Sequence, residues 1–194
     1  MPVCQPLQAS SGAVNRATNP PIPRAPRRVA RLLYARVVEQ ARRPVFYAAG
    51  GVPDTLDGRF EMVALHCFLL LHRLKQQAPK TAKLSQALFD LMFDDMDTSL
   101  REMGAGDLGV GRRVKRMAAG FLGRIAAYDA GLAGDAAALA EALRRNVYGT
   151  VAGRPRDAAA MVDYVRGAAA ALDRQPLARL MQGEVDFAEP EFGR

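Results

Sequence analysis

Four groups of residues in this 194-residue chain have types and spacings that could carry chemistry. Gly104-Ala105-Gly106-Asp107-Leu108-Gly109 matches the glycine pattern that delivers a pyrophosphate to a helix N-terminus, and Asp129, 20 residues after Gly109, stands where a ribose ligand would. That chemistry needs a buried strand just before the glycines. Leu84–Met103 instead places apolar residues at helical period among many acids, so the glycines read as a turn between two helices. Asp90, Asp94 and Asp97 share one face of that segment with Arg101, a placement that would suit a hard divalent cation and a metal-dependent enzyme. No Glu-x-x-His pair joins them, and the next segment offers bases to meet them: Arg112, Arg113, Lys115, Arg116 and Arg124. His66 and His72 fall on different sides of one helix, which excludes a shared ligand pair. Cys4 and Cys67 have neither metal-ligand spacing nor a disulfide framework, and fit a reducing compartment. With no nucleophile elbow, phosphate loop or Cys-x-x-Cys, the residues predict no enzyme, no cofactor and no metal.

The elements that would position these groups are all helical. Residues 1–25, rich in Pro, Ser, Asn and Ala, are expected to form a disordered basic arm. Val29, Leu32, Leu33 and Val37 predict a first helix from Pro26 to Arg43, stopped by Pro44, and Val45–Thr55 reads as a loop tucking Phe46 and Tyr47 inward. Asp57 is the expected cap of a second helix whose stripe of Phe60, Val63, Ala64, Cys67, Phe68, Leu71 and Leu74 is widened almost all round by Leu65, Leu69 and Leu70. Such a helix is either central to a bundle or covered on one flank by a partner. A third helix spans Leu84–Met103. A fourth starts at Asp107, carries Val110, Val114, Met117, Phe121, Ile125 and Tyr128 inward, and ends at Gly131 and Gly134. Asp135 caps a fifth through Leu139, Leu143 and Val147, and a sixth runs from Pro155 to about Leu172. Beyond Pro176 a short piece reaches Met181. The reading is all-α: a single irregular bundle of about six helices over 26–182, with 183–194 a loose tail. On the fourth helix Ala119, Gly123 and Ala127 form a small-residue strip, for tight packing within the bundle or for a client's helix.

The net charge of +7 resides entirely in residues 1–44, where eight Arg face the single acid Glu39. A basic arm on a neutral body suits an anionic surface, such as lipid headgroups, ribosomal RNA or an acidic protein. No stretch approaches the roughly 20 apolar residues that cross a bilayer. Arg enrichment resembles an organelle-targeting peptide, but Pro2, Pro6, Pro20, Pro21, Pro23 and Pro26 oppose the amphipathic helix it requires, so a bacterial cytoplasmic protein is favoured.

Two blocks resemble one family: Gly51-Val-Pro-Asp-Thr-Leu-Asp-Gly-Arg-Phe-Glu-Met62 continuing to Leu74, and Leu88-Phe-Asp-Leu-Met-Phe-Asp-Asp-Met-Asp97 through Ser99–Met103 to Arg112-Arg-Val-Lys115, Met117-Ala118 and Tyr128. With the Tyr34–Tyr47 region, the likeness spans roughly residues 30 to 170 and is similar to the ubiquinol–cytochrome c chaperone family. The resemblance implies a non-enzymatic assembly factor of the bc1 complex, with newly made cytochrome b as client. It also implies a small partner protein, a place near the ribosomal exit, no DNA, and a location peripheral to the inner membrane, on the cytoplasmic side or the mitochondrial matrix side. Its motif positions make Asp54, Arg59, Glu61, His66, Asp94, Asp97, Arg101, Glu102, Asp107 and Lys115 the candidate client or partner contacts. The residues leave two other readings: a ribosome- or membrane-binding module using the basic arm, and a metal-dependent enzyme using Asp90, Asp94 and Asp97.

Overall fold

A computed structural model describes residues 24–102, 107–149 and 155–192, with the side chains of 24, 100, 107–118 and 155–157 excepted. Among the described residues there are eight helices and no strand: α1 Arg24–Ala41, α2 Pro44–Ala48, α3 Leu56–Lys75, α4 Ala82–Glu102, α5 Asp107–Ala133, α6 Ala136–Asn146, α7 Pro155–Asp173 and α8 Leu177–Gln182. The all-α expectation holds. The expected disordered arm lies outside the described residues as far as 23, and its last two positions, Arg24 and Ala25, belong to α1.

α3 is the axis of the bundle, packed against α1, α4, α5 and α7. Its apolar residues run all round because it has neighbours all round: Met62, Leu65, Phe68, Leu69, Leu70 and Leu74 have no exposed surface. No partner is needed to cover a flank, so central placement is the alternative realised. α5 and α6 form an antiparallel pair, and here the expected stop at Gly131 is corrected. The helix continues to Ala133, and Gly131 serves a close approach instead, since a Cβ there would lie 2.7 Å from the Cα of Leu139. Asp135 caps α6 as expected, accepting from the amides of Ala137 and Ala138.

Pro44 does more than stop α1. It opens the five-residue α2, where its missing N–H costs nothing, so the first part of the expected Val45–Thr55 loop is helical. Phe46 becomes fully buried, and the half-buried Tyr47 donates its hydroxyl to the Ala41 carbonyl at 2.8 Å. The cap of α3 is Thr55 rather than Asp57, because the Thr55 hydroxyl accepts from the Gly58 amide at 3.2 Å while Asp57 sits within the first turn.

Among the described side chains, acids of α4 meet partners on α1 and on α4 itself. Asp94 meets Arg27 at 3.5 Å, Asp95 accepts from the Tyr34 hydroxyl at 2.8 Å, and Asp97 pairs with Arg101 at 2.8 Å. α4 packs against both α1 and α5, and Arg124, the one expected α5 base whose side chain is described, turns towards α3. The side chains of Arg112, Arg113, Lys115 and Arg116 lie outside the described residues.

The segment from Gly183, expected to be loose, is pinned as far as Phe192. Gln175 holds the Asp186 backbone at two points, donating to its carbonyl at 2.6 Å and accepting from its amide at 3.0 Å. Arg179 pairs with Asp186 at 2.9 Å and Arg43 with Glu189 at 2.5 Å. Val185 is buried, and Phe187, Ala188 and Phe192 pack on the core. These few apolar side chains gain their order from partners far away in the chain.

The turn into α3 depends on Gly58, where a Cβ would stand 2.0 Å from the Pro53 carbonyl oxygen. Gly58→Ala must therefore displace the Pro53–Thr55 loop, and is expected to destabilise the fold by about 1–3 kcal/mol, read as a lower urea midpoint at unchanged slope.

Candidate functional site

His66 stands at the centre of a dry polar network. Its Nδ1 lies 2.7 Å from the Met62 carbonyl oxygen, which can only accept, so Nδ1 carries the proton. Nε2 is then an acceptor, and the Tyr164 hydroxyl, 2.7 Å away, donates to it. The Tyr164 oxygen accepts from the Gln40 amide nitrogen at 3.1 Å, and the second hydrogen of that amide goes to the Ala188 carbonyl at 3.0 Å. One chain of hydrogen bonds thus ties α1, α3, α7 and the C-terminal segment. Phe46 meets the rings of His66 and Tyr164 edge-on, with centroids 5.3 and 5.0 Å away, and Phe187 closes the histidine's other side at 5.4 Å. Burial pushes the His66 pKa down to about 4, against the weaker opposing effect of the Met62 carbonyl, so the ring is neutral near pH 7. Its surface is wholly internal, and its contacts are with the bundle.

Glu61, one turn earlier on α3, forms a two-pronged ion pair with Arg124 of α5. Arg124 Nε lies 2.7 Å from one carboxylate oxygen, and a terminal nitrogen meets the other. The guanidinium also sits over the Phe60 ring, 5.6 Å from its centre. Burial pushes the Glu61 carboxyl above its ordinary range in spite of Arg124. A pair so placed fixes the α3–α5 orientation more than it adds stability.

The remaining candidates do not gather at one place. Asp54 and Arg59 pair at 2.6 Å on the exposed turn into α3. Asp94, Asp97, Arg101 and Glu102 follow the far half of α4. Asp107 is the first residue of α5 and Lys115 lies two turns further on, both with side chains outside the described residues. Asp90 accepts from Gln86 at 2.8 Å, and among the described residues no three acids, histidines or cysteines converge as metal ligands. His72 pairs with Asp129 at 2.6 Å, the carboxylate shared with Lys75 at 2.9 Å. Burial tends to raise the Asp129 pKa, but the bonds from His72 and Lys75 outweigh it and hold the carboxyl below the usual range. Asp129 is thus an inter-helix anchor rather than a ribose ligand. The Cys67 thiol is fully buried and pushed upward by that burial, which makes it inert.

Gln40, Tyr164 and Arg27 carry these arrangements without having been singled out from the sequence. Gln40 had one usable signal: a polar residue beside Val37 and Ala41 on the buried face of α1 requires a partner. The small-residue strip divides, since Ala127 packs on the core as the packing expectation has it. Ala119 and Gly123 are exposed, and a Cβ at Gly123 would meet nothing within 4 Å. Ala119 and Gly123, with Ala126 and the 49% exposed Leu122, form an open apolar face on α5.

The network sets two expectations for stability. Tyr164→Phe strands the His66 acceptor and a Gln40 donor in a dry interior, at an expected cost of about 1–3 kcal/mol. Between pH 6.5 and about 4 the unfolded chain binds a proton at His66 that the folded chain refuses. The contribution of the neutral ring is therefore whole above pH 6.5 and is lost on acidification towards 4, by roughly 3 kcal/mol. Urea unfolding across that range checks it: His66→Gln should remove this part of the pH slope.

Comparison with known proteins relates the chain to others of similar sequence and fold. The family model described as ubiquinol-cytochrome C chaperone matches residues 48–187. The ubiquinol-cytochrome-c reductase complex assembly factor 1 of Xenopus laevis is 28% identical over 134 residues, covering 69% of this chain and 67% of that protein. The counterparts from Mus musculus and Homo sapiens are 28% identical over the same share of this chain, which spans only 45% of their length. The crystal structure of the Cbp3 homolog from Brucella abortus is 40% identical and superposes with a TM-score of 0.76, covering 85% of this chain and 91% of that one. From the family match over most of its length, and the shared fold, the chain belongs to the ubiquinol–cytochrome c chaperone family.

Proposed function

We propose that this protein is a non-enzymatic assembly chaperone of the ubiquinol–cytochrome c reductase complex, and that it binds newly made cytochrome b at the face of the inner membrane. The family match over residues 48–187 carries this reading. The interior supports it, since its described polar clusters serve to join helices: the His66 network, the Glu61–Arg124 pair and the Asp129 anchor. Among the described residues no helix is long and apolar enough to cross a membrane. A client helix would lie on the open face of α5, where Ala119, Gly123 and Ala126 allow close backbone approach and Leu122 supplies apolar contact. The motif acids and bases at the end of α4 and the start of α5 would set its orientation.

Loss of the gene is expected to lower holo-cytochrome b and assembled bc1 complex together, and normal levels of both would refute the reading. Gly123→Glu tests the face itself. The position is open and helical, so the melting temperature should be unchanged or slightly raised, by the ~0.5–1 kcal/mol that glycine costs in a helix, while bc1 assembly falls.

A second reading, contact with an anionic membrane surface, is favoured by the exposed face of α1. Arg28 and Arg31 lie there one turn apart with no ion pair among the described residues, beside the 48% exposed Leu32. Arg28→Glu with Arg31→Glu should abolish co-sedimentation with vesicles containing anionic lipid, without unfolding the protein. Removing the whole segment to Pro44 would not test this, because it would also delete the buried Leu33 and Val37.

A further inference from the structure

The turn that carries Asp54 and Arg59 also walls a pocket of about 420 Å³, lined by Arg42, Pro44, Tyr47, Ala48, Asp54 and Arg59. Three elements meet there: the end of α1, the whole of α2 and the first turn of α3. Contacts already described fix the backbone around it. Tyr47 is fastened to the Ala41 carbonyl, Thr55 caps α3, and Gly58 lets the Pro53 carbonyl press against the helix. Two guanidiniums face this space and one carboxylate accompanies them. Asp54 engages Arg59 through Nε at 2.6 Å, so the terminal nitrogens of Arg59 have no partner among the described residues. Arg42 has none at all there, while its neighbour Arg43 is turned away to Glu189. Both Arg59 and Arg42 act on the Tyr47 hydroxyl: burial raises its pKa, and the two cations pull against that.

We propose that this pocket binds an acidic peptide segment, with a side-chain carboxylate bridging Arg42 and the terminal nitrogens of Arg59 and an apolar neighbour lying on Tyr47 and Pro44. Planar forks meeting a planar carboxylate are the favoured geometry for arginine, and an aromatic–proline wall suits the flank of an extended peptide. Phosphate sites commonly add backbone amides, and two positions beside this pocket offer none. Pro44 has no N–H, and the Gly58 amide is taken by Thr55. The inference stands apart from the identity of the client, since it concerns the purified chain alone.

The test uses the full chain and an array of blocked tetrapeptides in which one Glu is flanked by Leu, Phe or Pro, with the matching Gln peptides as controls. Glu peptides should be retained and their Gln counterparts bound about tenfold more weakly, the loss of one charge-assisted contact. Arg42→Gln and Arg59→Gln should each weaken the best Glu peptide by about tenfold with the melting temperature unchanged, and equimolar inorganic phosphate should not displace it. Retention of no Glu peptide, equal binding of the Gln peptides, or indifference to both substitutions overturns the proposal. Displacement by phosphate also overturns it, and would assign the pocket to small anions.

Discussion

The Tyr164 hydroxyl joins three elements of the bundle through one polar group. It donates to His66 on α3 and accepts from Gln40 on α1, and Gln40 in turn holds the backbone at Ala188. The His66–Tyr164 and Gln40–Tyr164 bonds are buried, and Phe46, Phe187 and Phe192 pack on the His66 and Tyr164 rings, so a lost partner there is not readily replaced by water. The consequence is directional. A Leu- and Ala-rich helix can rotate or slide against its neighbours at little cost, whereas a histidine with one fixed tautomer admits a single register for three elements at once.

Other polar contacts divide the same task. Arg73 is buried near the far end of α3 and donates to the Leu172 and Gln175 carbonyls at 3.0 Å each, closing the C-terminal end of α7. The Leu172 carbonyl also accepts from the Gln175 amide at 3.1 Å, so Arg73 adds a second donor where the helix stops. Glu61 and Arg124 fix α5 against α3, and His72 and Asp129 repeat the link three turns on. α3 is therefore both the most apolar helix and the one with the most cross-links, with polar residues set singly where neighbouring helices meet. A body ordered in this way keeps its surface features, the α5 face and the Arg42–Arg59 pocket, in constant relation to one another.

What the sequence revealed and what it hid follow from the range over which each signal acts. Helical period over several turns, with Gly and Pro punctuation, located α3 to α7 because it accumulates with length. Asp135 showed as a cap because it stands alone before its helix. At the start of α3, Thr55 and Asp57 are both capping residues, and only the placement of the Thr55 hydroxyl against the Gly58 amide separates them. α2 is too short to express a period, and Pro44 reads equally as an end and as a beginning. The partner of Glu61 lies 63 residues away and that of His66 lies 98 away, so composition and spacing could nominate these residues but not say what they touch. The family likeness, carried by the 51–62 and 88–118 blocks, spoke for function where no local chemistry did.

The pinned segment from Gly183 to Phe192 has a consequence for how the molecule is made. A ribosome delivers α1, α2 and α3 first, so Phe46 and His66 emerge well before the residues that cover them. Until Phe192 has been synthesised the aromatic cluster lacks its outer wall, and Gln40 has no Ala188 carbonyl to hold. Closure of this cluster thus waits for residues synthesised well over a hundred positions after His66, and until they emerge its aromatic surface stays uncovered.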